Sequence, residues 1–255
     1  MSTNRRIPIF LLVTLCLVLQ FIYSPAYGAQ NPGENGWTVS ALPASVRLDP
    51  SSGKIIEDRP DLYSMQPLGN LLEKNWVYDG NTVSLHAARG EYVSFQFVLE
   101  NKGSEPLKDI IIRMAPFALE GKKLDSEPEL FLEWAVEAKV PSTGYEKSSL
   151  GPGWYTDALI PLEKIQMDVS RLGRLHYPLE LPDFRNRIDN QRFLLVWVDQ
   201  WVPEGRDKAG HGTYTSEITV RIGELIKSVP VRLKIWDFAL PAQNRLAGNC
   251  QHEGF

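Results

Sequence analysis

Residues 213–236, TYTSEITVRIGELIKSVPVRLKIW, decide the fold class. Tyr214, Ile218, Val220 and Ile222 fall on one face of an extended chain, and Thr213, Thr215, Glu217, Thr219 and Arg221 fall on the other. Successive side chains of a strand point to opposite faces, so this alternation is the mark of a half-buried strand. Gly223-Glu224 makes a short turn, and the chain returns through Val229, Val231, Leu233 and Ile235, with Ser228, Arg232, Lys234 and Trp236 between them. Two alternating runs about a Gly-containing turn specify a β-hairpin. Pro230 has no N–H to give to a ladder, so its side of the return strand is expected at an edge or a bulge.

The same period recurs upstream. Val93, Phe95, Phe97 and Leu99 share a face opposite Ser94 and Gln96. Val83 and Leu85, Ile110 and Ile112, and the run from Phe131 to Val136 give further strands. Phe193 to Val198 is apolar throughout, which suggests a central strand covered on both faces. Helix signals are weak; Leu68 to Val77 has room for one or two turns. Short strands punctuated by 18 Pro and 19 Gly predict a mainly β chain folded as an antiparallel β-sandwich of immunoglobulin or jelly-roll type, with few short helices.

The N-terminus reads as a processing signal. Arg5 and Arg6 precede a nearly unbroken apolar run from Ile7 to Leu19, and Ala26 and Gly28 stand at the -3 and -1 positions of a cleavage site. This order of charge, apolar core and small residues predicts a secretory signal peptide over residues 1–28, cut after Gly28, and a secreted or periplasmic product. The apolar run is shorter than the roughly 20 residues a membrane span needs, so membrane contact is expected only through the transient signal. Leu15 before Cys16 is unsuited to lipidation. Residues 29–45, with Asn31-Pro32-Gly33 and Asn35-Gly36, read as a flexible leader. The sandwich is expected over 46–241, and 242–255 as a tail or the start of a further domain.

Removing residues 1–28 takes away Arg5 and Arg6 and no acid, which moves the formal net charge from -4 to -6. A mildly acidic exported protein is a poor partner for nucleic acid, which selects clustered Lys and Arg. Cys250 is the one cysteine left after Cys16, so an internal disulfide is excluded and the core must hold the fold by itself.

Catalytic signatures are absent. The four histidines, His86, His176, His211 and His252, lack zincin spacing, and no Cys pair or calcium loop accompanies them. No cofactor or metal is expected. There is no Gly-x-Ser-x-Gly elbow. Glu127, Glu129, Glu133 and Glu137 would share one strand face, a pattern suited to solvent. Asp157 and Asp199 stand out because aromatic residues flank each. Trp197 and Trp236, inside strands, read as core. Trp154, Tyr155 and Asp157 follow Gly151-Pro152-Gly153 in an apparent loop, and form the candidate substrate-binding group: exposed aromatic rings stack on apolar faces of a ligand while their polar tips hydrogen-bond.

Four stretches taken in order resemble one family. They are Ala87-Ala88-Arg89-Gly90-Glu91-Tyr92-Val93-Ser94-Phe95-Gln96; Gly153-Trp154-Tyr155-Thr156-Asp157-Ala158-Leu159-Ile160-Pro161; Trp197-Val198-Asp199 on through Pro203 to Gly212-Thr213-Tyr214-Thr215; and Val229-Pro230-Val231 to Leu240-Pro241. Together they are similar to the N-terminal β-sandwich of glycoside hydrolase family 123 and its relatives carrying the domain DUF4091. Gly90, Thr156 and Ser216 stand where that family commonly has Asn, Pro and Gly. The resemblance spans roughly residues 75–241. It implies a sandwich beside a (β/α)8 barrel that holds an Asp-Glu pair acting on β-linked N-acetylgalactosaminides, and nothing in this chain matches that pair. The expected function is therefore a non-catalytic accessory sandwich of an exported glycoside hydrolase-like protein, partnered by a barrel domain or chain. A free-standing carbohydrate-binding module and a small sandwich glycosidase using Asp157 or Asp199 are the alternatives.

Overall fold

A computed structural model describes residues 36–56, 70–140, 152–166 and 179–241. The expected signal peptide, residues 242–255 with Cys250 and His252, and His176 lie outside the described residues.

Two sheets face one another. The first has five strands in the order β1-β3-β10-β7-β8: β1 Trp37–Pro43, β3 Glu91–Asn101, β10 Phe193–Val202, β7 Glu129–Ala138 and β8 Gly153–Pro161. The second runs β2-β12-β11-β4-β9, from β2 Val83–Arg89, β12 Leu225–Ala239, β11 Gly212–Ile222, β4 Leu107–Met114 and β9 Leu179–Leu181. Two short strands, β5 Ala118–Leu119 and β6 Lys122–Lys123, extend it beside β11, and a one-turn helix α1, Leu162–Gln166, follows β8. The mainly β class and the two packed sheets are as the alternating pattern predicts. The pairing is antiparallel except for β2 with β12.

The inward faces of both sheets make one core. Phe95, Phe97 and Leu99 of β3 meet Ile218 and Val220 of β11 and Val229, Val231, Leu233 and Ile235 of β12 in one buried cluster. Burying each such side chain contributes roughly 1.5–3 kcal/mol. The hairpin pairs Ile222 with Leu225 across Gly223-Glu224. Gly223 has φ +58° with nothing within 4 Å of a virtual Cβ, so backbone conformation alone selects glycine. Pro230 pairs with Glu217 on β11, while β2 begins its ladder at Val231. The proline thus sits just past the end of β2, although β12 itself is internal to the sheet.

Sequence expectations are corrected at four places. Strand β1 lies within the stretch 29–45 read as leader: Trp37, Val39 and Ala41 alternate into the core and pair with β3 from Asn101 to Phe97. Within the described part of Leu68 to Val77, residues 70–77 form turns rather than a helix; Asn75 closes them, its Nδ2 donating to the Ala41 and Leu71 carbonyls at 2.8 Å. Trp236 is 42% exposed, because even positions of β12 face out while Val231, Leu233 and Ile235 face in. It stacks on His86 at 5.7 Å with Lys234 Nζ 4.2 Å from its ring centre. Trp154, Tyr155 and Asp157 lie in β8, an edge strand paired to β7, rather than in a loop.

A second, smaller core covers part of the outer face of the five-stranded sheet. Leu42, Val46, Leu48 and Leu71 pack there on Val98, Phe193 and Leu195. The first half of β10 is therefore buried on both sides, as its continuous apolar run predicts. Segment 44–55 makes this cover. Gln96 Nε2 donates to the carbonyls of Pro43 and Val46 at 2.7 and 2.9 Å. Gly53, at φ +72°, lies against Phe193, whose Cζ would be 2.4 Å from any Cβ placed there.

Candidate functional site

Beyond that cover, the outer face of the five-stranded sheet carries the polar and aromatic side chains of β3, β10, β7 and β8. Register places them. Trp201 lies opposite Tyr92, Asp199 opposite Ser94, and Trp197 opposite Gln96 on the β3 side. On the β7 side Asp199 lies opposite Glu129 and Trp197 opposite Phe131. These positions share one face because side chains alternate along each strand.

The Asp199 carboxylate is fixed. Its Oδ1 accepts the Ser94 hydroxyl and the Trp197 Nε1–H, each at 2.5 Å. Two residues along, the Tyr92 and Trp201 rings approach to 4.9 Å between centroids at an interplanar angle of 46°. Tyr92 is 57% exposed. Trp197 is partly buried, with the Arg47 guanidinium 5.8 Å from its ring centre. Arg47 is steadied by donating to the Ala44 and Val46 carbonyls at 3.1 Å.

Glu133 lies on this same face and is buried, not solvated as the acidic spacing suggests. Burial pushes its carboxyl up to about 7, against the opposing pull of the Arg47 charge. Its Oε1 and the Thr156 Oγ1 have no hydrogen-bond partner among the described residues. Burial of an ionised carboxylate is costly without pairing, so the neutral acid is favoured near neutrality.

The sequence-predicted residues are placed as follows. Trp154 and Tyr155 are both half-buried and, as neighbours on a strand, project to opposite faces. Asp157 is exposed and sits at a bulge: Trp134 pairs with Ala158 and Ala135 with Thr156, leaving Asp157 between them without a partner in the register. Bulges re-aim a side chain at a sheet edge. Asp157 and Asp199 are on strands separated by β7, whereas Asp199 faces Glu129 directly. Sequence reasoning does not single out Tyr92, takes Trp201 only as a flank of Asp199, and reads Glu133 as solvated. Tyr92 and Ser94 alternate with Val93 and Phe95, and that alternation is the signal for an outward face. His211 is exposed. Among the described residues no three His, Cys, Asp or Glu side chains are grouped to hold a metal, and no helix is long and apolar enough to cross a membrane.

The chain matches no protein-family model and no curated protein. Among solved structures it aligns with a family 123 glycoside hydrolase from Clostridium perfringens, studied for hydrolysis of glycolipid glycans, at a TM-score of 0.52 and 14% identity. In fold, this chain is similar to part of that hydrolase. The alignment takes in 81% of this chain and 28% of the hydrolase. The CooA pilin subunit of enterotoxigenic Escherichia coli aligns at a TM-score of 0.28 and 7% identity, over 62% of this chain and 90% of the pilin.

Proposed function

We propose that the chain is a non-catalytic accessory β-sandwich of an exported glycoside hydrolase-like protein, packed beside a (β/α)8 catalytic domain or partner chain. One observation carries this reading. Beyond Ile235, β12 runs past the core, and every residue from Trp236 to Pro241 is exposed. The extension is nonetheless held: Ala239 pairs with Arg89, Leu240 N–H donates to the Arg89 carbonyl at 2.8 Å, and Asp237 is gripped by Arg89 at 3.4 Å and Arg206 at 3.1 Å. It presents Trp236, Phe238 and Leu240 at 42, 54 and 42% exposure. An ordered strand that displays large apolar side chains to water marks a surface meant to be covered. The likeness to one part of a glycoside hydrolase supports a covering domain of that kind, with export supplied by the signal peptide expected at residues 1–28.

The test is the native form of the protein. An antibody to the sandwich, applied to the exported fraction of the cells that make it, is expected to detect a species about twice the mass of the mature chain, or a stable complex of that size. That species should cleave glycosides. A free, unassociated species of this size without such activity overturns the reading.

A further inference from the structure

We infer that the Tyr92–Trp201 pair and the Asp199 carboxylate form a binding site for a single neutral pyranose ring. The site is separate from the β12 extension and uses the outer face of the other sheet. Three features of its geometry select the ligand.

The first is the pair of aromatic rings. Tyr92 and Trp201 are directly opposite on β3 and β10, and Tyr92 leaves more than half its surface to solvent. A buried core has no part in holding it there. The ring faces offer apolar area bordered by the Tyr hydroxyl and the Trp N–H, the combination that receives a ligand with an apolar face and a polar rim. Their planes differ by 46°. Two tilted rings cannot floor an extended flat chain, but one sugar ring can stack on one of them and abut the other. The ligand is therefore a single or terminal sugar ring.

The second is the acceptor. Asp199 stands two residues from Trp201, about 6.8 Å along the strand. A pyranose stacked on the aromatic rung extends its rim hydroxyls over that distance. Ser94 and Trp197 both donate to Oδ1, which restrains the carboxylate, and neither of these bonds uses Oδ2. An oriented carboxylate oxygen accepts a hydroxyl hydrogen bond without first paying the entropy of finding its rotamer.

The third is charge. Glu129 faces Asp199 across β7–β10, so two carboxylates stand on the rung beside the rings. Uronic acids and sulfated sugars are repelled, while the hydroxyls of a neutral ring can turn their hydrogens toward these carboxylates.

The experiment is titration of the intact mature chain with methyl pyranosides, read by Trp fluorescence and by chemical-shift perturbation of Trp side-chain N–H signals. Binding with a Kd on the order of millimolar is expected for one such small ligand, with the Trp201 signal moving most. Tyr92→Ala and Asp199→Asn should each weaken it about tenfold or more. Both retain the wild-type melting curve, since neither side chain is in the core. Glucuronic acid should bind far more weakly than the neutral sugars. Three results overturn the site: no methyl pyranoside binds, binding survives Tyr92→Ala, or glucosamine binds while every neutral sugar fails, which would make the site one for an ammonium group. None of these bears on whether the β12 extension docks a second domain, so the two proposals fail separately.

Discussion

Glu133 and Thr156 belong to neighbouring strands, β7 and β8, and present their side chains on the same sheet face with only 6% and 3% of each residue exposed. A carboxyl in that position has a definite thermodynamic signature. Its pKa in the folded chain is about 7, against 4.5 for the ordinary group. The folded state therefore holds a proton that the unfolded state has released. Stability is highest below about pH 4.5 as far as this group is concerned, and it declines as pH rises toward 7, then levels off. The span corresponds to at most about 3 kcal/mol. Glu133→Gln should flatten that slope and make the protein more stable at pH 8 than the wild type. Urea denaturation at pH 5 and pH 8 checks both points, and equal slopes for the two proteins would refute the burial argument.

Phe97 and Tyr92 lie on the same strand with opposite environments, at 0% and 57% exposure. Phe97→Ala empties a site in the middle of the shared core and should cost about 3–5 kcal/mol. Tyr92→Ala should change stability by no more than about 0.5 kcal/mol. Thermal melts of the two variants measure the contrast. A large loss from Tyr92→Ala would mean that the ring serves packing rather than recognition.

Gly223 tests the turn. Its positive φ at the first central position of a two-residue loop fits a type II′ hairpin. With open space around it, Gly223→Ala can act only through backbone strain, expected at about 1–2 kcal/mol. Gly223→Asn should cost less, since Asn tolerates this region of φ. Equal losses in the two variants, measured by equilibrium unfolding, would point instead to a steric cause.

The exposed end of β12 predicts self-association. Replacing Trp236 and Phe238 with Ser should leave the core untouched and reduce concentration-dependent assembly of the isolated chain, followed by sedimentation velocity. If the wild type stays monomeric at high concentration, the apolar extension is not adhesive and the docking proposal loses its main support.

Local patterning made the hairpin, β3, β4, β7 and the doubly covered start of β10 legible, because each carries its own alternation or apolar run. Elsewhere, local chemistry pointed away from the structure. Trp37, Val39 and Ala41 alternate, yet they follow Asn35-Gly36, and turn residues mask a strand that owes its order to pairing with β3. Trp154 follows Gly151-Pro152-Gly153, so composition suggests a loop; only the ladder to β7 makes it a strand. Glu133 has the spacing of a solvated acid. Its surroundings include the charge of Arg47, far away in the chain, to which no short window has access. Tyr92 and Trp201 are more than a hundred positions apart in the chain. Their meeting follows from the β3–β10 register, which alternation alone leaves free to slide.

The parallel pairing of β2 with β12 carries a consequence for when the protein can exist at all. Val83 must find Val231, and β12 must already lie against β11, before β2 can complete the edge of the second sheet. A parallel partner cannot be supplied by a tight turn, and contacts this remote close slowly. The five-stranded sheet contains no β12 and can pair before it, whereas β2 waits for a partner about 150 residues further along the chain. Slow closure of this kind makes the second sheet the late step of folding, the one that waits on the most distant pairing.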